Sequence, residues 1–416
     1  MTTAVRERVL ALSSDELPAY VYDLAALREH AAAVRSALPD RVEMYYAAKA
    51  NPEPEILTTL APYVDGAEVA SGGELAHVAK AVPDLPLAFG GPGKTPDEIA
   101  AALAAGVARF HVESARELRM LAHIAARTVV PGQRPRVGVL LRFNLPLAED
   151  AMRGSSLSMG GRPTPFGIDP SEADDLVRAL SSGGYPPLEL YGIHAHLASG
   201  LGAAAQLAVA ESVVAWAVRL AERHGVALRE VNVGGGMAVD YARPGARFDW
   251  AAYGAGLSRL TAAYPGLRLR IEPGRALTAY SGWYATEVLD VKSSHGEEFA
   301  VVRGGTHHLR TPATKGHDQP CAVLPVAAWP HPWPRAAARL DRITMAGQLC
   351  TPKDVLARRV PVPESGLRAG DRVVFALAGA YAWNISHHDF LMHPRPGFHF
   401  LGGAATRSGT RGAVSG

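Results

Sequence analysis

Charge of one sign is what this chain most plainly lacks. Its 416 residues carry 42 Lys and Arg against 40 Asp and Glu, a formal net charge of +2. No basic field is available to gather nucleic acid or anionic lipid, so neither is expected as a partner. Cysteine is as scarce. Cys321 and Cys350 are the two present; they build no disulfide framework and fit a reducing cytoplasm. The opening residues, Met1-Thr2-Thr3-Ala4-Val5-Arg6-Glu7-Arg8, lack the apolar centre of a secretory signal. No uninterrupted apolar run is long enough for a bilayer, and no internal repeat is visible. With 48% hydrophobic and 20% charged residues, a cytoplasmic globular enzyme with room for two domains is the expectation.

What is present is a regular alternation from about residue 44 to 275. Short apolar runs, predicted as strands over 44–50, 66–71, 85–91, 108–114, 136–144, 188–197, 228–234 and 267–272, alternate with Ala- and Leu-rich helical patterns. Eight such units predict a parallel sheet closed as a (β/α)8 TIM barrel; an open doubly wound sheet is the alternative. The stretch 145–170, rich in Gly, Ser, Arg and Pro, reads as an active-site loop after the fifth strand. Beyond residue 276 the runs become short, β-rich and punctuated by Gly and Pro. The division predicted is an N-terminal segment (1–30) packing with the β domain, a barrel (31–275), a mainly β C-terminal domain (276–401) and a disordered tail (402–416).

Barrel enzymes place their chemistry at the carboxyl ends of the strands. Lys49 ends the first apolar run, just before Asn51-Pro52. A lysine there is poorly hydrated, burial lowers its pKa, and the free amine can capture an aldehyde; an ordinary strand-end lysine is the plain alternative. The second strand carries Glu68. The sixth ends in His194-Ala195-His196-Leu197-Ala198-Ser199-Gly200, the seventh in Gly234-Gly235-Gly236, the eighth in Glu272-Pro273-Gly274-Arg275. A glycine triplet permits close approach of an anion, and Arg275, Ser199 and Tyr381 add phosphate-binding donors. His196 suits either a metal or a planar ring to stack on; no third ligand at metal spacing accompanies it, and no metal is expected. Glu272 can hold a pyridine nitrogen protonated or be a structural ion-pair partner.

Tyr46-Ala47-Ala48-Lys49-Ala50-Asn51, His196-Leu197-Ala198-Ser199-Gly200, Gly234-Gly235-Gly236, Glu272-Pro273-Gly274-Arg275, Cys350-Thr351-Pro352-Lys353-Asp354 and Gly379-Ala380-Tyr381 occur in the order seen in fold-type III pyridoxal phosphate decarboxylases. The chain resembles that family over residues 20 to 397. The resemblance implies the alanine racemase-like barrel plus β domain, pyridoxal 5′-phosphate as cofactor, and a homodimer whose subunits complete each other's sites. It implies Lys49 as the cofactor-linking amine, His196 as the stacking ring with Glu68 near it, and Ser199, Gly234, Gly235, Gly236, Gly274, Arg275 and Tyr381 around the phosphate. Glu272 becomes the pyridine-nitrogen partner. Across the interface Cys350 returns a proton to the substrate carbon and Asp354 touches the substrate amine.

Departures from the family pattern bear on the substrate. Diaminopimelate decarboxylases usually follow the cysteine with glutamate; Thr351-Pro352 stands here, and Pro165-Phe166-Gly167 replaces a Lys-Phe-Gly signature. With Thr306-His307-His308-Leu309-Arg310 and Ser386-His387-His388-Asp389, these segments resemble the siderophore-biosynthesis subgroup. Its enzymes decarboxylate a diaminopropionate unit joined to citrate. Such a substrate calls for cations, and Arg162, His307, His308, Arg310, His387 and His388 are the candidates. A diaminopimelate-, ornithine- or lysine-type decarboxylase is the alternative. An amino-acid racemase is disfavoured because Glu272 stands where alanine racemases place arginine, and a non-catalytic cofactor-binding protein because those resemble the barrel alone.

Overall fold

The computed structural model describes residues 1–128, 136–146, 157–158 and 160–403. A first strand, β1 (Ala19–Asp23), leads into the barrel. Its staves are β2 (Val42–Ala47), β3 (Gly66–Val69), β4 (Leu87–Phe89), β5 (Arg109–Val112), β6 (Val137–Arg142), then, after the two-residue β7 (Leu157–Ser158), β8 (Leu188–His194). Beyond the two-residue β9 (Ala198–Ser199), β10 (Glu230–Asn232) and β11 (Arg268–Ile271) complete it. All eight pair in parallel, and β11 closes on β2 with Leu269 opposite Val42 and Ile271 opposite Met44. The staves are buried on both faces, one against the helices and one against the barrel interior, which is why they read as continuous apolar runs.

Local chemistry starts the helices where the barrel needs them. Ser71 caps the helix Gly72–Ala81 through the Glu74 amide. Thr95 and Glu98 form a capping box for Pro96–Ala104, with proline in the first turn. Asp249 caps Trp250–Ala263. The helix Ala203–His224 ends at Gly225, whose φ of 61° is cheap only for glycine. By length and composition this helix could cross a membrane, although Gln206, Glu211 and Arg219 interrupt its apolar run. It lies on the barrel instead, burying Val209, Ala210, Val213, Val214 and Ala217.

Two strand ends differ from the sequence expectation. The first strand stops at Ala47, and Ala48–Ala50 form a 3-10 turn, so Lys49 rides on a turn above the stave. The sixth stops at His194. Of the predicted loop 145–170, residues 147–156 and 159 lie outside the described residues. Its later part folds back onto the barrel: Gly161 N–H donates to Asn144 Oδ1 (2.7 Å), Ile168 N–H to Arg142 O (2.8 Å) and Gly167 N–H to Glu113 Oε2 (3.0 Å).

After the last stave a short helix, Arg275–Thr278, leads to β12 (Gly282–Ser294), the longest strand. It pairs with β13 (Glu297–Val302) and, through β14 (Cys321–Leu324), β15 (Arg342–Ala346), β16 (Val355–Pro361) and β17 (Arg372–Phe375), belongs to a curled sheet ordered β14-β17-β12-β13-β15-β16. Strand β1 pairs antiparallel with β12 and parallel with β18 (Gly397–Leu401). The N-terminal helix Thr3–Ala11 packs Val5 and Val9 into the same layer with Trp283 and Val374. Of the tail, residues 404–416 lie outside the described residues.

The barrel floor holds a buried charge cluster. Arg270, 1% exposed, donates to Glu43 Oε2 (2.8 Å) and Glu230 Oε2 (2.9 Å), and its guanidinium lies 3.6 Å from the Tyr45 ring centroid. This ties β11 to both neighbours, β2 and β10. Removing the cation leaves the buried Glu230 with Arg109 alone, at 3.4 Å, while the partly exposed Glu43 keeps Arg268. Arg270→Ala is expected to lower unfolding free energy by about 3–5 kcal/mol, read as a fall in the urea midpoint; an unchanged midpoint would show the cluster to be dispensable.

Candidate active site

The barrel closure brings Lys49, Glu68 and Glu272 to one rim. Lys49 Nζ donates to Glu68 Oε2 at 2.6 Å; Glu68 is buried on β3, whereas the lysine side chain is 47% exposed toward the mouth. Burial opposes the ammonium, but the charges of Glu68, Tyr381 and Glu272 outweigh it and hold the Lys49 pKa above its usual value. This reverses the expectation drawn from burial alone. The turn is fixed from the C-terminal domain: Tyr381 N–H donates to Ala50 O (2.7 Å) and Asn384 Nδ2 to Lys49 O (2.7 Å).

Glu272 follows β11 and is 7% exposed. Its Oε1 accepts from Asn232 Nδ2 at 2.7 Å. His111 Nε2 lies 3.7 Å from Oε1, and His194 Nε2 3.6 Å from Oε2. Burial, and then the Glu68 charge, raise the Glu272 pKa to about 7.

The glycine triplet forms a cradle with no room for side chains. A Cβ on Gly234 would stand 2.6 Å from His196 Nδ1, one on Gly235 2.1 Å from Glu272 O, and one on Gly236 2.1 Å from Ala198 O. Gly234 and Gly236 take φ of 71° and 103°, which glycine tolerates. Gly235 N–H donates to His196 Nδ1 at 3.0 Å. The His196 ring is held uncharged, its pKa lowered to about 3 by burial and then by Arg142 and Lys49. Ser199 pairs by its backbone with Leu157 in the β7–β9 ribbon beside the cradle. Gly274 packs against Ala50 and Ala47, where a Cβ would meet Ala50 Cβ at 2.9 Å. Arg275 donates to Tyr241 Oη (2.6 Å), with its guanidinium 4.5 Å from the Tyr381 ring. Tyr381 itself holds a positive φ of 48°, a strained conformation fixed by the Ala50 bond and by Thr311 Oγ1 donating to its carbonyl. A flat ring over His196, with an anion at the glycine cradle and a ring nitrogen toward Glu272, fits this set of donors.

The remaining candidates divide. Cys350 is exposed on the loop before β16. Asp354 does not present an open carboxylate: it is 2% exposed and accepts from Thr306 N–H (2.6 Å), Thr306 Oγ1 (2.8 Å) and Leu349 N–H (2.8 Å). It braces the Cys350 loop from within the chain. His307 is fully buried, its ring 3.9 Å from that of His308, and burial, then His393 and His387, lower its pKa to about 4. His308, lowered to about 3 by burial and then His307, contacts Tyr284 and Pro394. His388 stacks on Trp383 at 3.6 Å. His307 and His308 are packed within this wall, and His388 lies flat on the Trp383 ring. Arg310 and Arg162 are exposed, and His387 is half-buried with its pKa lowered by burial and then by Arg310.

Sequence reading missed Asn232, His111, Tyr241 and Asn384, and saw His194 only as part of a doublet. Asn232 and His111 carried one signal, a polar side chain beside apolar residues in a short strand. Tyr241, stacked on His317 of the C-terminal domain at 4.2 Å, carried none.

Residues 24–279 match the family described as "Pyridoxal-dependent decarboxylase, pyridoxal binding domain". The chain is 38% identical over 92% of its length, and 93% of the relative's, to 2-[(L-alanin-3-ylcarbamoyl)methyl]-2-hydroxybutanedioate decarboxylase of Staphylococcus aureus. It is 29% identical to diaminopimelate decarboxylase of Zymomonas mobilis over 88% of this chain and 83% of that one. Among solved structures, diaminopimelate decarboxylase from Helicobacter pylori complexed with L-lysine superposes with a TM-score of 0.81 at 24% identity, covering 95% of this chain and 94% of that one. A closed barrel with a lysine, a carboxylate and an anion cradle at one rim, matched by that family over most of its length, places this chain among the pyridoxal-dependent decarboxylases.

Proposed function

We propose that this chain removes the α-carboxylate from an amino-acid unit joined to a polycarboxylate, a citryl-diaminopropionate-like conjugate, and that it works as a cytoplasmic homodimer. The observation that carries the substrate is the 38% identity to the staphylococcal enzyme, against 29% and 31% for two diaminopimelate decarboxylases, together with Thr351 where a carboxylate would suit a diamino acid. A simple diamino acid is the second reading, favoured by those same relatives.

Bound pyridoxal phosphate supplies an aldehyde and a ring that accepts electrons. The chain's own groups do the rest. Lys49 offers the amine, and Glu68 holds its proton at Oε2. His196 provides an uncharged stacking face, and Arg275, Tyr381, Ser199 and the triplet Gly234, Gly235 and Gly236 hold the phosphate. Glu272 faces the ring nitrogen. Cys350 of the partner subunit returns a proton to the carbon that loses carbon dioxide. Arg310, joined to the Lys49 turn through Ser386 and the segment 381–386, takes a distal carboxylate of the substrate, with His387 beside it. Arg162 is a further contact of the same kind.

Glu68→Gln removes the charge that favours the Lys49 ammonium, so its pKa falls and the amine is free at lower pH. The pH midpoint for trapping added cofactor on Lys49 with borohydride is expected to drop by about 1 unit or more; an unmoved midpoint would free Lys49 from Glu68's control. In a panel of citryl-diaminopropionate, meso-diaminopimelate, ornithine, lysine and arginine, carbon dioxide release is expected from the conjugate. Arg310→Ala should raise its KM about 10-fold, the loss of one charge-assisted bond. Turnover of meso-diaminopimelate alone would establish the second reading. Lys49→Ala and Cys350→Ala, each inactive by itself, are expected to recover about a quarter of wild-type activity when subunits exchange at random; no recovery would place Cys350 in its own subunit's chemistry or outside it.

A further inference from the structure

We propose that His111 and His194 are positioning residues for Glu272, one imidazole packed beside each carboxylate oxygen in place of a lysine or arginine, so that the group is kept for the cofactor's ring nitrogen. The proposal rests on the reading of Glu272 as the nitrogen's partner and extends it to two residues with no assigned role.

The first observation is how charge is distributed around this point. Four cations stand near His111: Arg270, Lys94, Arg142 and Lys49. Each has a carboxylate of its own. Arg270 pairs with Glu230 and Glu43, Lys94 with Glu117 at 2.6 Å, Arg142 with Glu113 at 2.6 Å, and Lys49 with Glu68. Glu272 takes no Lys or Arg among the described residues. Its side-chain neighbours at close range are Asn232 and the two imidazoles, one toward each carboxylate oxygen. The orientation of Asn232 is fixed from its other end, because Oδ1 accepts Gly234 N–H at 2.9 Å. That leaves Nδ2 to face Glu272 and, at 3.4 Å, His111 Nε2.

The second observation is that both rings are enclosed and underused. His111 is 0% and His194 3% exposed, with ring centroids 4.2 Å apart. Among the described residues, His111 Nδ1 and both nitrogens of His194 have no hydrogen-bond partner. Orphaned nitrogens in a packed interior cost stability. A pair kept at that cost beside one carboxylate is explained by what it does to that carboxylate. Burial, then the four cations, drive the His111 pKa down; burial, then His111, do the same for His194. A lysine, an arginine or an imidazolium here would neutralise Glu272 and weaken its hold on a protonated ring nitrogen. The three residues also bring ligand-capable atoms within 4.8 Å of one another, and the experiment below separates that use from this one.

The test uses holoenzyme reconstituted with cofactor labelled with 15N in its ring. Wild type should show a protonated ring nitrogen. The variant His194→Lys, which sets a cation beside Oε2, should move that resonance toward the neutral pyridine position and lower kcat by about 10- to 100-fold, the effect expected of a partner behind a reacting group. His111→Phe/His194→Phe, which keeps both neighbours uncharged, should leave the resonance in place. A resonance unmoved in His194→Lys, or moved in the Phe variant, overturns the proposal while leaving Glu272's role intact; an unprotonated nitrogen in wild type refutes that role itself. Should these variants not fold, wild-type holoenzyme labelled with 15N-histidine decides: both rings are expected neutral at pH 7, and an imidazolium signature at either, or stoichiometric bound metal, overturns the proposal.

Discussion

The seam where β11 meets β2 governs everything at the mouth of this barrel. Leu269, Arg270 and Ile271 lie opposite Val42, Glu43 and Met44, and just above them Ala47 N–H donates to Pro273 O at 3.1 Å. This pairing sets the glutamate that ends the last stave beside the lysine that follows the first. Alternation along a strand then puts Arg270 and Glu272 on the same inward face, two residues apart. The lower one pairs with Glu43 across the seam and so fixes the register that the upper one depends on. A slip of one residue would turn both side chains toward the helices. The ion cluster on the floor and the chemistry at the rim are therefore two consequences of one register.

Buried charge is costly, and this interior holds a great deal of it. It is tolerated because nearly every cation has a carboxylate within hydrogen-bonding distance. The pattern also sorts the groups by use. Arg270, Lys94 and Arg142 are enclosed with their partners. Lys49 is paired as tightly, yet half open to the mouth, so its partner can be exchanged for an incoming aldehyde once the proton is shed. Glu272 is enclosed and, among the described residues, has no lysine or arginine in an ion pair with it. Among these groups, the two with capacity to spare are the two that the proposed chemistry uses.

The architecture was legible because a parallel barrel buries both faces of each stave and leaves a simple text of apolar runs and helices. The rim residues were legible because they fall at strand ends beside glycines, where backbone geometry restricts the choice of residue. Three things were not legible. The direction of the Lys49 shift depends on how close Glu68 comes, and that is a property of neighbouring staves rather than of either segment. The inward polar residues His111 and Asn232 sit in four- and three-residue strands, too short for their alternation to stand out. The roles of Asp354 and His307 follow from enclosure by Thr306, Leu349 and the surrounding histidines, and a motif carries no record of burial.

The C-terminal domain is more than a cover for the barrel. Its segment 381–386 is bonded to the lysine turn at Ala50 and Lys49, and Tyr381 is held there in a conformation that only those bonds justify. Tyr241 and His317 join the two domains again beside Arg275. Asp354, through Thr306, couples the Cys350 loop to the same wall that bears Arg310. Under the proposed function, the barrel supplies most of the cofactor's contacts, joined by Tyr381, and the β domain supplies most of those that read the substrate. Specificity can then change in the second without disturbing the first. That division accounts for a chain that keeps the glycine cradle, the lysine and the glutamate of its family while departing from it at Thr351 and along the histidine-rich wall.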